Sequence, residues 1–116
     1  MNILINCPSI LNINNKKNKV LGGVESLTLA LAQELSKRKY NITLSSICKK
    51  SIKKNNILHV PINSIKKNPK NYNFDSIIST NDASIFNYYS ENKKKYFGCI
   101  TNYKLKNLLE KNNFIQ

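Results

Sequence analysis

Two adjacent glycines, Gly22 and Gly23, stand where a polar, lysine-rich loop meets a strongly patterned helix, in a chain that carries three glycines among 116 residues. A glycine before a helix has three jobs open to it. It can supply a positive φ that ends a loop, act as an N-cap, or remove the β-carbon so that an anion reaches the backbone N–H groups at the positive end of the helix dipole. A pair favours the third, because one glycine satisfies the turn. The second weakens the helix start by up to about 1 kcal/mol relative to alanine, a cost that close approach of a phosphate would justify. Plain turn geometry is the competing reading. The pattern is neither G-x-G-x-x-G nor a P-loop, since no G-K-[ST] follows. Glu25, in the first helical turn, suits the helix dipole and would repel a phosphate, so it is not assigned as a ligand.

The other residues able to do chemistry are few. Cys7, Cys48 and Cys99 lie far apart with no C-x-x-C pair, which points to a reducing compartment and to cysteines used as small core residues. Together with His59 they lack the spacing of a zinc site, and no metal is expected. His59 sits in a strand pattern beside Pro61 and reads as a strand residue rather than a catalyst. Asn6, Cys7 and Pro8 close the first strand, at the place where a substrate would pass if that strand belongs to a parallel sheet.

The elements that must hold these residues follow from periodicity. Asn2 to Cys7 is a short apolar run suited to a strand buried on both faces. Beyond the glycines, Val24, Leu27, Leu31 and Leu35 recur at helical spacing, while Glu25, Gln33, Glu34, Lys37 and Arg38 avoid that stripe. Asn41 to Cys48, Ile57 to Ile62, Phe74 to Thr80 and Lys95 to Thr101 read as further strands. The stretches 49–56 and 63–73 read as solvated connectors, and Thr80, Asn81 and Asp82 are candidate N-caps for a helix through Ile85, Tyr88 and Tyr89. A last helix is expected over Tyr103 to Lys111. Strands separated by helices or by long connections predict an α/β, Rossmann-like open parallel sheet with helices on both faces. Ligands in such sheets gather outside the carboxyl ends of the strands.

Nineteen lysines and arginines against six acids give a net charge of +13, and only Arg38 is an arginine. Nucleic-acid readers rely on arginine for bidentate contacts, and here the lysines sit in doublets and triplets in nearly every expected loop. No nucleic-acid partner is therefore expected, and solvated loops explain most of the charge. The alternative is a non-enzymatic basic module that binds anionic lipid or nucleic acid. No run approaches the length of a membrane span, and the first residues lack a basic segment ahead of an unbroken apolar one. The expected location is cytoplasmic, with room for peripheral contact at the inner face of an anionic membrane.

The stretch ILINCPSIL, followed by GGVESLTLALAQELSKRKYNITLSSIC, resembles the opening βαβ unit of the family 4-type glycosyltransferases with the two-domain GT-B architecture. Gly22, Gly23 and Glu25 match that family's G-G-x-E motif, and Leu27, Leu31, Ala32, Glu34, Leu35 and Arg38 match its helix. FDSIIST resembles a later strand of the family. The resemblance implies transfer of a sugar from a nucleotide-diphosphate donor to a glycan or lipid-linked acceptor, as in glycan or cell-envelope polysaccharide synthesis, without a cofactor. It also implies that residues 1–116 are a truncated acceptor-side domain, inactive alone, with the C-terminal donor-binding domain absent. By the same resemblance the glycine pair faces the donor diphosphate, and Thr101 and Asn102, expected among the substrate-binding residues, stand where many members carry a histidine, followed in some by asparagine. Threonine lacks the imidazole's proton chemistry, so no catalytic residue is assigned. Arg38-Lys39-Tyr40 replaces the family's Arg-Gly-His, which leaves Asn41 as the expected left-handed cap of the helix.

Overall fold

A computed structural model describes residues 1–8, 10, 23–80, 82–89 and 93–97. The chain opens with strand β1 (Asn2–Asn6), and helix α1 (Gly23–Lys37) leads into strand β2 (Asn41–Ser46). A short strand β3 (Ile52–Lys54) turns back against β4 (Ile57–Pro61), which runs directly into helix α2 (Ile62–Lys67) and a 3-10 turn over Pro69–Asn71. Strand β5 (Ser76–Ser79), a 3-10 helix over Ala83–Tyr88 and strand β6 (Lys94–Phe97) complete the described elements.

The six strands form one sheet in the order β3-β4-β2-β1-β5-β6, parallel except for the β3–β4 pair. The molecule is thus mixed α/β with a mostly parallel sheet, compatible with a Rossmann-like fold. Taken in chain order, the parallel strands lie 3-2-1-4-5, so the winding reverses between β1 and β5.

Both faces of the sheet are covered, for the reason the apolar runs suggest. Alternate residues of a strand point to opposite faces. Ile3, Ile5, Ile42, Leu44, Ile57 and Ile78 pack with Leu31, Ala32 and Leu35 of α1. Leu4, Val60 and Ile77 pack on the other side with Ile65 of α2, Ile85 of the 3-10 helix and Phe74. Phe74 meets Tyr89 edge-on at 5.7 Å between ring centroids, closing the end of that second layer.

Four expectations need correction. The connector 49–56 contains β3, made possible by Asn55 and Asn56, whose φ of 52° and 63° suit the two-residue turn of a tight hairpin. The linker 63–73 contains most of α2, a helix held by two buried positions, Ile62 and Ile65, rather than by a long stripe. The helix after Asp82 is 3-10, not α, although Asp82 does cap it by accepting from the Ser84 amide at 3.0 Å. Finally, Asn41 belongs to β2, and the left-handed residue that ends α1 is Lys39, with φ of 69°. Tyr40 N–H donates to the Leu35 carbonyl and Lys39 N–H to that of Ser36, the paired bonds of a Schellman cap. The expected last helix, Tyr103 to Lys111, and most of the expected strand beyond Phe97 lie outside the described residues.

Candidate functional site

The carboxyl ends of the strands carry a row of small polar side chains where the apolar alternation would call for hydrocarbon. In register, Asn6 of β1 lies beside Ser45 of β2 and Ser79 of β5. All three are wholly buried, as is Thr80. A buried polar group is costly unless it is hydrogen-bonded, so their partners decide whether the row is a defect or a device.

The partners are complete around Asn6. Its Oδ1 accepts from Ser45 Oγ at 2.6 Å, and its Nδ2 donates to Ser79 Oγ at 3.1 Å and to Asp82 Oδ2 at 3.4 Å. Ser79 Oγ donates in turn to the Asp82 carbonyl, and the Asn6 carbonyl accepts from the Thr80 amide at 2.9 Å. One amide side chain therefore pins three strands and the loop after β5. Such a network polarises itself in low dielectric and fixes one arrangement of the strand ends.

Asp82 is where the network reaches solvent. Burial acts to raise its pKa, and this is outweighed by hydrogen bonds from the Ser84 hydroxyl and amide, by the Lys66 charge and by the Asn6 amide, so that the carboxyl titrates below its ordinary value. Lys66 Nζ stands 4.0 Å from Asp82 Oδ2. Between α2 and these strand ends opens a cleft of about 490 Å³, walled by Pro8, Ser46, Cys48, Pro61, Lys66 and Asp82 among others. Ser46 is wholly buried on this wall, and its Oγ has no partner among the described residues. The arrangement offers an ionised acceptor, an ammonium donor and an uncommitted hydroxyl around one cavity, a set that recognises hydroxyl groups.

The residues singled out from the sequence fall in different places. Pro8 lines the cleft, and Asn6 lies one layer beneath as the centre of the network. Cys7 is buried in the α1-side core. Gly23 is the first residue of α1, on the same edge of the sheet because the helix must run back from the end of β1 to the start of β2. Gly22, Thr101 and Asn102 lie outside the described residues. His59 is buried in β4 with Nδ1 unpartnered among the described residues, and burial, then the Lys54 charge, lower its pKa.

Sequence reasoning missed Ser45, Ser46, Ser79 and Lys66, and it read Asp82 only as a cap. A signal was present: NITLSS and FDSIIST both end in hydroxyl residues at the last strand positions. Among the described residues no three of His, Cys, Asp and Glu converge as a metal cage would require, and no helix is long and apolar enough to cross a membrane. A second hollow, of about 420 Å³, lies at the opposite, amino end of the strands among Asn2, Asn41, Asn56, Asn71 and Asn73. Comparison of the chain with protein-family models, with curated proteins and with solved structures finds no match.

Proposed function

We propose that the chain is the acceptor-side domain of a GT-B-type glycosyltransferase, a Rossmann-like half that meets a nucleotide-diphosphate sugar and presents an acceptor to it. The observation that carries this reading is the strand order, whose reversal between β1 and β5 coincides with the edge from which α1 departs at Gly23. A crevice at that reversal is where open α/β sheets bind ligands. The glycine start of α1 lets a leaving diphosphate lie against backbone N–H groups without a β-carbon in the way. Across β1, the cleft supplies Asp82, Lys66 and Ser46 for the hydroxyls of a glycan or lipid-linked acceptor. The resemblance of residues 3–48 to the family's opening unit supports the same assignment. A cytoplasmic site of action belongs to this reading, in keeping with the three dispersed cysteines. No residue is assigned to the chemical step.

The test is a titration of the chain with uridine, guanosine and adenosine diphosphate sugars, followed by amide NMR. The expected result is millimolar binding of one of them that shifts Gly22, Gly23 and Val24, with Gly22→Val weakening it about tenfold or more. Shifts confined to the asparagine-lined hollow at the amino end, or an unaltered affinity in a folded Gly22→Val protein, would falsify the proposal.

A further inference from the structure

Between Glu34 and Asp75 the sequence runs for 40 residues without an acid and with ten cations. The fold turns this bias along the chain into a bias in space. That segment closes α1 and builds β2, β3, β4 and α2, the half of the sheet on one side of β1, where it brings no acid. On the other side Asp75 and Asp82 flank β5 and are mixed with Lys93, Lys94 and Lys95 of the β6 edge. At the outer edge of the basic half, Lys49, Lys50, Lys53 and Lys54 are all exposed. Two large aliphatic side chains stand among them: Ile47 is 58% exposed and Ile52 36%.

Lysines alone have an ordinary explanation here, since charged residues on an edge strand discourage pairing with other chains. Exposed isoleucines do the opposite and invite association. We propose that the Ile47–Lys54 segment is a membrane-docking edge, which seats Ile47 and Ile52 in the interface of an anionic bilayer while the four lysines meet the lipid phosphates. Neither signal holds a protein to a membrane well by itself, and the two together do. A nucleic acid fits the segment less well, because it contains no arginine for bidentate contacts and no aromatic ring on which a base could stack. Since Ile47 and Cys48 also line the cleft, docking brings the mouth of that cleft to the level of the lipid head groups. The inference does not depend on sugar transfer, and either can fail without the other.

The experiment is co-sedimentation with vesicles of phosphatidylcholine alone and of phosphatidylcholine with about one third phosphatidylserine, at low and moderate salt. Binding is expected only to the anionic vesicles and falls as salt screens the charge. Each lysine at the surface is worth about fivefold in partitioning, so Lys49→Ala with Lys50→Ala lowers it about 25-fold. Lys37→Ala with Lys39→Ala makes the same change in net charge away from the segment and costs less than threefold. The chain has no tryptophan, so Ile47→Trp supplies a single reporter whose emission shifts to the blue on anionic vesicles and is quenched by brominated acyl chains. Circular dichroism verifies that each variant is folded. The proposal is overturned by equal losses from the two lysine pairs, by tryptophan emission that vesicles leave unmoved, or by tighter binding to an RNA oligomer than to vesicles. Association of two copies through β3 that excludes vesicles overturns it as well.

Discussion

The two ends of the three central strands are built from similar residues and behave differently. At the amino end, Asn41 Nδ2 donates to Asn2 Oδ1 at 2.9 Å, and the Asn2 backbone N–H donates to Asp75 Oδ2 at 2.8 Å, all in exposed positions. At the carboxyl end, Asn6 bonds Ser45, Ser79 and Asp82, and the first three are sealed from water. Strand register is the same at both ends, running from Asn2↔Asn41 to Asn6↔Ser45. What differs is solvation. A polar side chain that loses its partner at the amino end finds water, whereas one at the carboxyl end leaves an unmet donor or acceptor in the core. The same chemistry is therefore decoration at one end and a constraint at the other, and the cleft opens at the constrained end.

The largest expected effect breaks the comparison at its centre. Asn6→Leu leaves the buried Ser45 hydroxyl without its acceptor and takes from Ser79 and Asp82 the donor they share, although Ser79 keeps its own bond to the Asp82 carbonyl. It should cost about 3 kcal/mol in urea unfolding. Ser79→Ala removes one member and should cost about 1.5 kcal/mol by the same measurement. A change of opposite sign is expected from Lys39→Gly, which relieves a left-handed lysine at the end of α1 and should stabilise by about 1 kcal/mol. Asn2→Ala, the amino-end counterpart of the first variant, should cost no more than about 0.5 kcal/mol; a loss equal to that of Asn6→Leu would erase the distinction.

Acid sharpens the contrast with smaller effects. Asp82 has a folded-state pKa below its ordinary 3.8, so its contribution is complete above that value and is lost as pH falls through the lowered one. Stability measured against pH should lose this component in Asp82→Asn and keep it in Asn2→Ala. His59, whose pKa is lowered from 6.5, favours folding fully above that pH and progressively less below it, because only the unfolded chain takes up the proton easily. In His59→Gln the decline just below pH 6.5 should flatten, as followed by thermal melts.

How much of this was legible depends on whether local pattern or tertiary contact made the structure. β1, α1, β2, β4 and β5 were readable because their apolar residues follow the periods that a two-faced sheet and its covering helix impose. Strand β3 was not, since all three of its residues are exposed and it exists through the mirror-type turn at Asn55-Asn56. Helix α2 escaped because Ile62 and Ile65 are too few to show a stripe, and the packing of Ile65 with Leu4, Val60 and Ile77 supplies the stability that propensity does not. At the site, Asn6 and Pro8 were legible from topology, which marks the end of the first strand. Ser45 and Ser79 were not, for a lateral row is assembled by register between strands far apart in sequence, which no window along one strand contains. Lys66 was not, because it sits on α2, the helix that no stripe announced.

The positions of two cysteines give the molecule a built-in chemical clock. Cys7 is sealed beneath α1, whereas Cys48 is half-buried in the wall of the cleft. In a chain whose Cys99 is replaced by serine, a bulky maleimide added to the native protein should mark Cys48 within minutes and reach Cys7 only when the end of β1 unlatches. The ratio of the two labels then separates occupancy of the cavity from opening of the fold, so that one mass spectrum serves both as a footprint of any bound molecule and as a record of how often the core breathes.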